Sequence, residues 1–259
     1  MRLDGKRVLI TGAGSGIGRA LAVEAAGRGM TVALCGRRSE PLAATLALLN
    51  PEPRHQIIAA DITQAADRHR ILEALLRTWR SLDVLVNNAG LVEGGSVEAA
   101  SDEALNRTFQ TNVLAPIALT RDLMPLLMTA RPSRVVNIGS VFGDIPYPQF
   151  AGYSASKFAL RGFSIALRRE WKRRGIGVTY ASPRATRTAA AVAFEELIAQ
   201  TKMSLDPPEL VARQVWDGVS KDRDSISAPG IERFYVFIQR VFPRLIDQAL
   251  ARQQPSFVA

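Results

Sequence analysis

The chain has little of what binds metals or makes crosslinks. Its 259 residues include one cysteine, Cys35, and two histidines, His55 and His69. One cysteine excludes an intramolecular disulfide framework and a cysteine-rich zinc site. Cys35 ends the apolar run Thr31–Cys35, which predicts a buried structural thiol. The histidines lack metal-ligand spacing and are expected to be structural or exposed. No apolar run approaches the length of a bilayer span. No secretory signal precedes the strand-like Arg7–Ile10, so the expected location is the cytoplasm. Repeats, low-complexity tracts and linkers are also missing, so residues 1–259 are expected to form one domain. Acids are in short supply: 24 Asp plus Glu face 33 Lys plus Arg, a formal charge of +9. Such an excess suits anionic cofactors, acidic substrates, nucleic acid or an anionic membrane, or simply aids solubility. No nucleic-acid module accompanies the charge, so that partner is discounted.

What is present is an alternation of short apolar runs with helix-length segments. Strands are predicted at Val8–Thr11, Thr31–Cys35, Gln56–Ala60, Val84–Asn87, Val135–Gly139 and Val178–Ala181, with a seventh around Ser225–Ala228. Between them, Ile71, Leu72, Leu75, Leu76 and Trp79 repeat with a helical period. Such alternation predicts an α/β fold: a doubly wound parallel sheet of about seven strands, covered by helices on both faces.

The first strand runs into Thr11-Gly-Ala-Gly-Ser-Gly-Ile-Gly18 and then a helical segment. Glycines in a strand-to-helix turn let backbone approach a pyrophosphate, and the helix N-terminus offers free N–H groups. Further on, Lys157 follows Tyr153 by four positions, so a helix puts both on one face. A cation beside a phenol is expected to lower its pKa from about 10 and so tune it for proton transfer to or from an oxygen. Ser140 is a candidate for a further hydrogen bond to that oxygen. Asn112 falls within a predicted long helix, Asp102 to about Met128, where an Asn needs a partner and where Pro116 and Pro125 predict a kink or interruption.

These motifs in this order, with Asn87-Asn-Ala-Gly90 after the fourth strand, resemble the short-chain dehydrogenase/reductase family in its short single-domain branch. The resemblance runs from the N-terminus to about Thr188. It implies nicotinamide cofactor contacts at Gly12, Gly14, Ser15, Gly16, Ile17 and Gly18, at Asp61 and Ile62, and at Asn88, Ala89 and Gly90. The Asp61 carboxylate would accept from the adenine amino group, or else cap the following helix in competition with Thr63. Asn87 has either a cofactor role or a sheet role. It also implies a proton relay of Asn112, Ser140, Tyr153 and Lys157, with Asn112 holding a water near the lysine and Lys157 binding the nicotinamide ribose. Pro183 and Thr188 complete the cofactor set, Thr188 at the nicotinamide amide. Where the family's NAD-preferring members carry an acid, this chain has Gly36, then Arg37 and Arg38. A guanidinium suits a 2′-phosphate, so NADP is expected over NAD, with Arg37 the main contact.

The family pattern breaks at Pro183-Arg-Ala-Thr-Arg-Thr188, where Arg184 replaces a glycine. Either Arg184 points to solvent, or Arg184 or Arg187 helps bind an anionic group on substrate or cofactor. Residues 184–205 are expected to cap the substrate with an apolar helical segment holding Phe194, Leu197, Ile198 and Met203, or to pack on the core. The extension 230–259 interleaves apolar residues with Arg233, Arg240, Arg244 and Arg252. Three uses stand open for it: packing on a subunit or domain, peripheral contact of 233–252 with an anionic membrane, or a roof over the substrate site. The expected activity is hydride transfer between NADP(H) and a hydrophobic carbonyl/alcohol pair. Alternatives are a 3-oxoacyl-thioester reductase and a non-catalytic NADP(H) sensor. The family further implies a homodimer or homotetramer.

Overall fold

The computed structural model describes residues 1–51, 54–194, 204–227 and 230–252. Its strands are β1 (Arg7–Thr11), β2 (Thr31–Gly36), β3 (Gln56–Ala59), β4 (Val84–Asn87), β5 (Ser133–Ile138), β6 (Ile176–Ser182) and β7 (Ser225–Ser227). They form one parallel sheet of order β3-β2-β1-β4-β5-β6-β7. The helices are α1 (Gly16–Gly27), α2 (Ser39–Leu46), α3 (Ala65–Thr78), α4 (Asp102–Phe109), α5 (Ala115–Thr129), α6 (Ala151–Trp171), α7 (Pro208–Ser220), α8 (Glu232–Val241) and α9 (Pro243–Arg252). All the strands read from sequence are present, with ends moved by at most two residues.

Each central strand is apolar on both sides because both faces are covered. Along β1, Val8 and Ile10 pack with Leu21 of α1 and with Val215 and Trp216 of α7. Leu9, between them, packs with Ile71 of α3, Leu119 of α5 and Trp171 of α6. Trp216 is wholly buried, and its indole N–H donates to the Leu21 carbonyl at 3.0 Å. Cys35 is buried as expected, and burial pushes its thiol up to about 12. The histidines are structural and exposed respectively. His55 Nδ1 accepts from the Val32 N–H at 3.0 Å, and exposed His69 pairs with Glu73 on the surface of α3.

The sheet positions a site because β1 pairs with both β2 and β4. The chain leaves β1 to one side and β4 to the other, which opens a crevice at their carboxyl ends. Asn87, at the end of β4, serves the sheet: its amide donates to Thr120 Oγ1 and Asn137 Oδ1.

The long helix expected from Asp102 is divided. A π-helical stretch, Gln110–Leu114, separates α4 from α5. The break falls ahead of Pro116, which sits in the first turn of α5, whereas Pro125 lies inside a continuous α5. Buried Asn112 is in the π-helical stretch. In the cap, Ala189–Phe194 form a 3₁₀ helix. Leu197, Ile198 and Met203 lie outside the described residues. Among the described residues no helix is long and apolar enough to cross a membrane.

Candidate active site

The glycine turn owes its shape to positions where no side chain fits. Gly12 and Gly16 have φ of +65° and +53°, a region that glycine adopts without strain. At Gly18 a Cβ would strike the Gly12 carbonyl oxygen and the Asn88 amide. The turn is tied to β4 by two residues. Thr11 Oγ1 accepts from the N–H groups of Asn88 and Ala89, both at 3.0 Å, and Asn88 Nδ2 donates to the Thr11 carbonyl at 2.9 Å. Ser15, the residue before α1, makes no side-chain capping bond, so the helix N-terminus faces the crevice with its N–H groups uncapped.

That N-terminus opens on a cavity of about 740 Å³. Gly12, Ser15, Gly16, Ile17 and Gly18 line one wall, and Arg37, Asp61 and Ile62 line the end over β2 and β3. Asn88, Ala89, Gly90, Tyr153, Lys157 and Thr188 line the remainder. Gly14 and Arg38 stand outside the cavity. A Cβ at Gly14 would press on Pro41 of α2 at 2.9 Å, so its contact is with that helix. Arg38 precedes α2 as its exposed N-cap residue. The Asp61 carboxylate accepts from the N–H and hydroxyl of Thr63, at 3.0 and 2.8 Å, and so holds the turn before α3. Gln64, not Asp61 or Thr63, is the N-cap residue of that helix.

The reacting end lies on α6. Tyr153, Ser156, Lys157, Leu160, Ser164, Leu167 and Trp171 are buried at helical spacing, so one stripe of α6 faces the core. Tyr153 and Ser140 share a side-chain hydrogen bond. Lys157 Nζ stands 5.7 Å from the centre of the Tyr153 ring and donates to the Ile138 carbonyl at 3.1 Å. Asn112 Oδ1 accepts from Leu91 N–H at 2.8 Å, and its amide donates to the Leu91 carbonyl and to Ser156 Oγ. The partner that a mid-helix Asn requires is therefore the loop after β4 together with α6. A Cβ on Gly90 would lie 3.2 Å from Asn112 Oδ1 and 3.5 Å from Lys157 Nζ, so a larger residue there would crowd both.

The electrostatics correct one expectation. Burial pushes Tyr153 up to about 12, and the Ser140 hydrogen bond offsets only part of that. Burial likewise lowers Lys157 to about 8. Desolvation of the buried phenol governs, and the ammonium gives its hydrogen bond to the Ile138 carbonyl.

Ser140 and Pro183 line a second, smaller cavity of about 100 Å³, with Tyr153 and Thr188 common to both. Its wall is apolar and aromatic, with Val92, Phe142 and Phe194. Phe194 stacks on Phe150 with ring centres 4.9 Å apart and meets Phe142 and Tyr153 edge-on.

Arg184 resolves differently from both readings of the sequence. Its guanidinium donates to Asp206 at 2.6 Å and to Glu232 of α8 at 2.9 Å, and these acids raise its pKa further above the ordinary arginine value. It is an internal tie for the cap. Arg187 is exposed, and its N–H donates to the Asp206 carbonyl.

Two buried groups escaped the sequence reading. Ser156 Oγ donates to the Tyr153 carbonyl at 2.7 Å while accepting from Asn112. Tyr180, on β6, places its hydroxyl under the site, accepting from the Ser140 N–H and donating to the Lys157 carbonyl at 3.4 Å. A Cβ at Gly139 or Gly143 would collide with the Tyr180 side chain. The local signal for Ser156 was its place on the α6 stripe. For Tyr180 the hint was two glycines flanking Ser140, which make room for a large ring.

The fold and this arrangement define a Rossmann-type nucleotide-binding protein. The short chain dehydrogenase family profile matches residues 6–197, and the chain belongs to that family. It is 35% identical over 214 residues to an uncharacterized oxidoreductase of Thermotoga maritima, covering 82% of each chain. It is 33% identical over 183 residues to the 3-oxoacyl-(acyl-carrier-protein) reductase FabG of Escherichia coli, covering 71% of this chain and 74% of that one. A Brucella melitensis 3-ketoacyl-(acyl-carrier-protein) reductase solved with NADH superposes with TM-score 0.82 at 27% identity, covering 89% of this chain and 99% of that one. The protein is an oxidoreductase of this family.

Proposed function

We propose that the chain is an NADP(H)-dependent enzyme that transfers hydride between the nicotinamide and a hydrophobic carbonyl/secondary alcohol pair. The observation that carries this reading is the hydrogen-bonded Ser140–Tyr153 pair, with Lys157 behind it, where the two cavities meet. The larger cavity fits a dinucleotide: positive-φ glycines, an N-terminus free of side-chain caps and a Gly18 whose Cβ would block the turn make a cradle for a pyrophosphate. When bound, the nicotinamide supplies or accepts the hydride.

The chain's own residues handle the proton and the geometry. Tyr153, protonated at neutral pH, donates its phenolic proton to the carbonyl oxygen during reduction. Ser140 orients that oxygen, and Lys157 lowers the cost of the phenolate left behind while binding the nicotinamide ribose. Asn112 holds Leu91 and Ser156 in place, and by family likeness it also fixes a water beside Lys157. Asp61, Ile62, Asn88, Ala89, Gly90, Pro183 and Thr188 complete the cofactor contacts, Pro183 from the substrate side. Arg37, exposed at the cavity edge with Gly36 before it, takes the 2′-phosphate, and Arg38 is secondary. The apolar wall of Phe142, Phe194 and Val92 selects hydrophobic substrates.

The name of the Escherichia coli relative favours a second reading, a 3-oxoacyl-thioester reductase. A cofactor sensor would not need the Asn112–Ser140–Tyr153–Lys157 set. Further parts of the proposal are a single domain over residues 1–259, a cytoplasmic location, a homodimer or homotetramer packed through the helices bearing Asn112 and Tyr153, and a peripheral membrane contact through 233–252. NADPH oxidation with a panel of hydrophobic ketones and 3-oxoacyl thioesters tests the reading. Tyr153→Phe is expected to bind NADPH normally and to lose turnover by about 10²–10⁴-fold. Full activity in that variant, or a clear preference for NADH that Arg37→Ala leaves unchanged, sinks it.

A further inference from the structure

The last two helices are built the wrong way round for a domain surface. Ile231, Phe234, Phe237 and Val241 recur every three or four residues and share one face of α8 and its entry. Phe242 and Leu245 carry the apolar surface onto α9, and these six side chains are 49–60% exposed. Two polar residues of α8 tie it to the body. Glu232 accepts from Arg184, and Arg240 donates to Asp144 at 2.9 Å. The apolar face therefore points away from the domain core that an amphipathic helix normally covers.

We infer that this face docks on an anionic lipid surface and sets the mouth of the substrate cavity at the membrane interface. The charge pattern selects the partner. Arg233 and Arg244 are exposed beside the aromatic residues, and Asp247 is the one acid exposed among the described residues of α8 and α9. Phenylalanine, tyrosine and leucine flanked by arginine match the boundary between acyl chains and anionic headgroups. A second copy fits less well, because a two-fold contact presents the same patch, which offers only Asp247 as an exposed acid to pair with these arginines. The ties of α8 connect this face to the site. Arg184 lines the smaller cavity, and Asp144 directly follows the Val141–Gly143 turn, two of whose residues line it too. A lipophilic carbonyl compound dissolved in the bilayer would thus reach Tyr153 without crossing water. This last step rests on the hydride-transfer reading given under Proposed function; the docking, which deepens the membrane contact proposed there, does not.

The test is co-sedimentation of the full chain with vesicles of phosphatidylcholine alone and of phosphatidylcholine with phosphatidylglycerol. Binding to the anionic vesicles is expected, weakening with salt. Phe234→Ser/Phe237→Ser should reduce it at least tenfold, roughly what removing two buried rings implies. Arg233→Gln/Arg244→Gln should reduce it about fivefold per arginine. Sedimentation velocity of the same variants should match the wild type. The inference falls if wild-type protein ignores anionic vesicles, if the phenylalanine variant binds as well as wild type, or if that variant dissociates an oligomer, which assigns the face to a second copy. Vesicle binding needs no turnover. A wild type that binds vesicles yet reduces no carbonyl compound therefore overturns the enzymatic reading and leaves the docking intact.

Discussion

Two loops close on the crevice, and they are held by opposite means. The Gly12–Gly18 turn is held by what is missing: a Cβ at Gly18 would fill the space of the turn's own carbonyl, and Asn88 and Thr11 grip main chain. The Pro183–Thr188 loop is held by a large side chain, Arg184, where the family resemblance leads one to expect a glycine. Arg184 fastens it to Asp206 and Glu232, 22 and 48 positions later. The loops meet where a Cβ on Gly16 would lie 3.0 Å from the Thr188 methyl group. The lesson is one of range. A turn determined by close backbone packing depends on residues nearby in sequence and on one adjacent loop. A loop determined by ion pairs depends on distant segments, and its substrate-facing shape follows from them.

The comparison can be broken first on the glycine side. Gly18→Ala should lower NADPH affinity by at least about 100-fold, the cost of moving donors that must lie close to the pyrophosphate. Fluorescence titration of NADPH checks this, and near-normal affinity would show that the turn relaxes freely. Lys157→Met probes the group between the loops. Turnover should fall by roughly 10²-fold or more. The cofactor-free protein, however, should melt at a higher temperature. Burial lowers the folded Lys157 pKa to about 8, below its unfolded value of about 10.4, so the fold bears the cost of a buried charge below pH 8. That cost fades as pH rises between those values, so wild-type stability gains relative to the variant over that window. Thermal melts of both proteins at pH 7 and pH 9.5 test the sign, and a variant less stable than wild type at pH 7 would contradict it.

On the other side, Arg184→Gly inserts the glycine that the family resemblance implies but leaves the buried Asp206 carboxylate without its guanidinium. Stability should fall by about 1–3 kcal/mol. KM for the carbonyl substrate should rise several-fold, with NADPH affinity little changed. Equal losses in both affinities would mean that the two loops act as one unit. The smallest effect is expected for Tyr180→Phe, which removes the hydroxyl between Ser140 and Lys157. About 1 kcal/mol of stability and a few-fold drop in kcat should go with it, without a change in NADPH affinity. An unaltered kcat would make Tyr180 a packing residue only.

Much of this site is legible in the amino-acid sequence. The strands followed from short apolar runs, the turn from its glycines, and the shared face of Tyr153 and Lys157 from their spacing. Asn112 was visible as an asparagine in need of a partner, although that partner, the Leu91 backbone with Ser156, was not. Gly14 and Arg38 were placed by motif in the cofactor set, but they border the cavity from outside. One braces α2 and the other starts it.

The amino-acid sequence by itself determined the α/β alternation, the cofactor turn and the pairing of Tyr153 with Lys157, because each depends on spacing of a few residues along the chain. Tertiary structure alone decided that burial raises Tyr153 instead of the lysine lowering it, and that Tyr180 lies beneath both Ser140 and Lys157. It also decided that Arg184 bonds acids of its own chain and that α8 turns its phenylalanines outward. Desolvation and long-range ion pairing are properties of which surfaces meet, and local spacing carries no record of that.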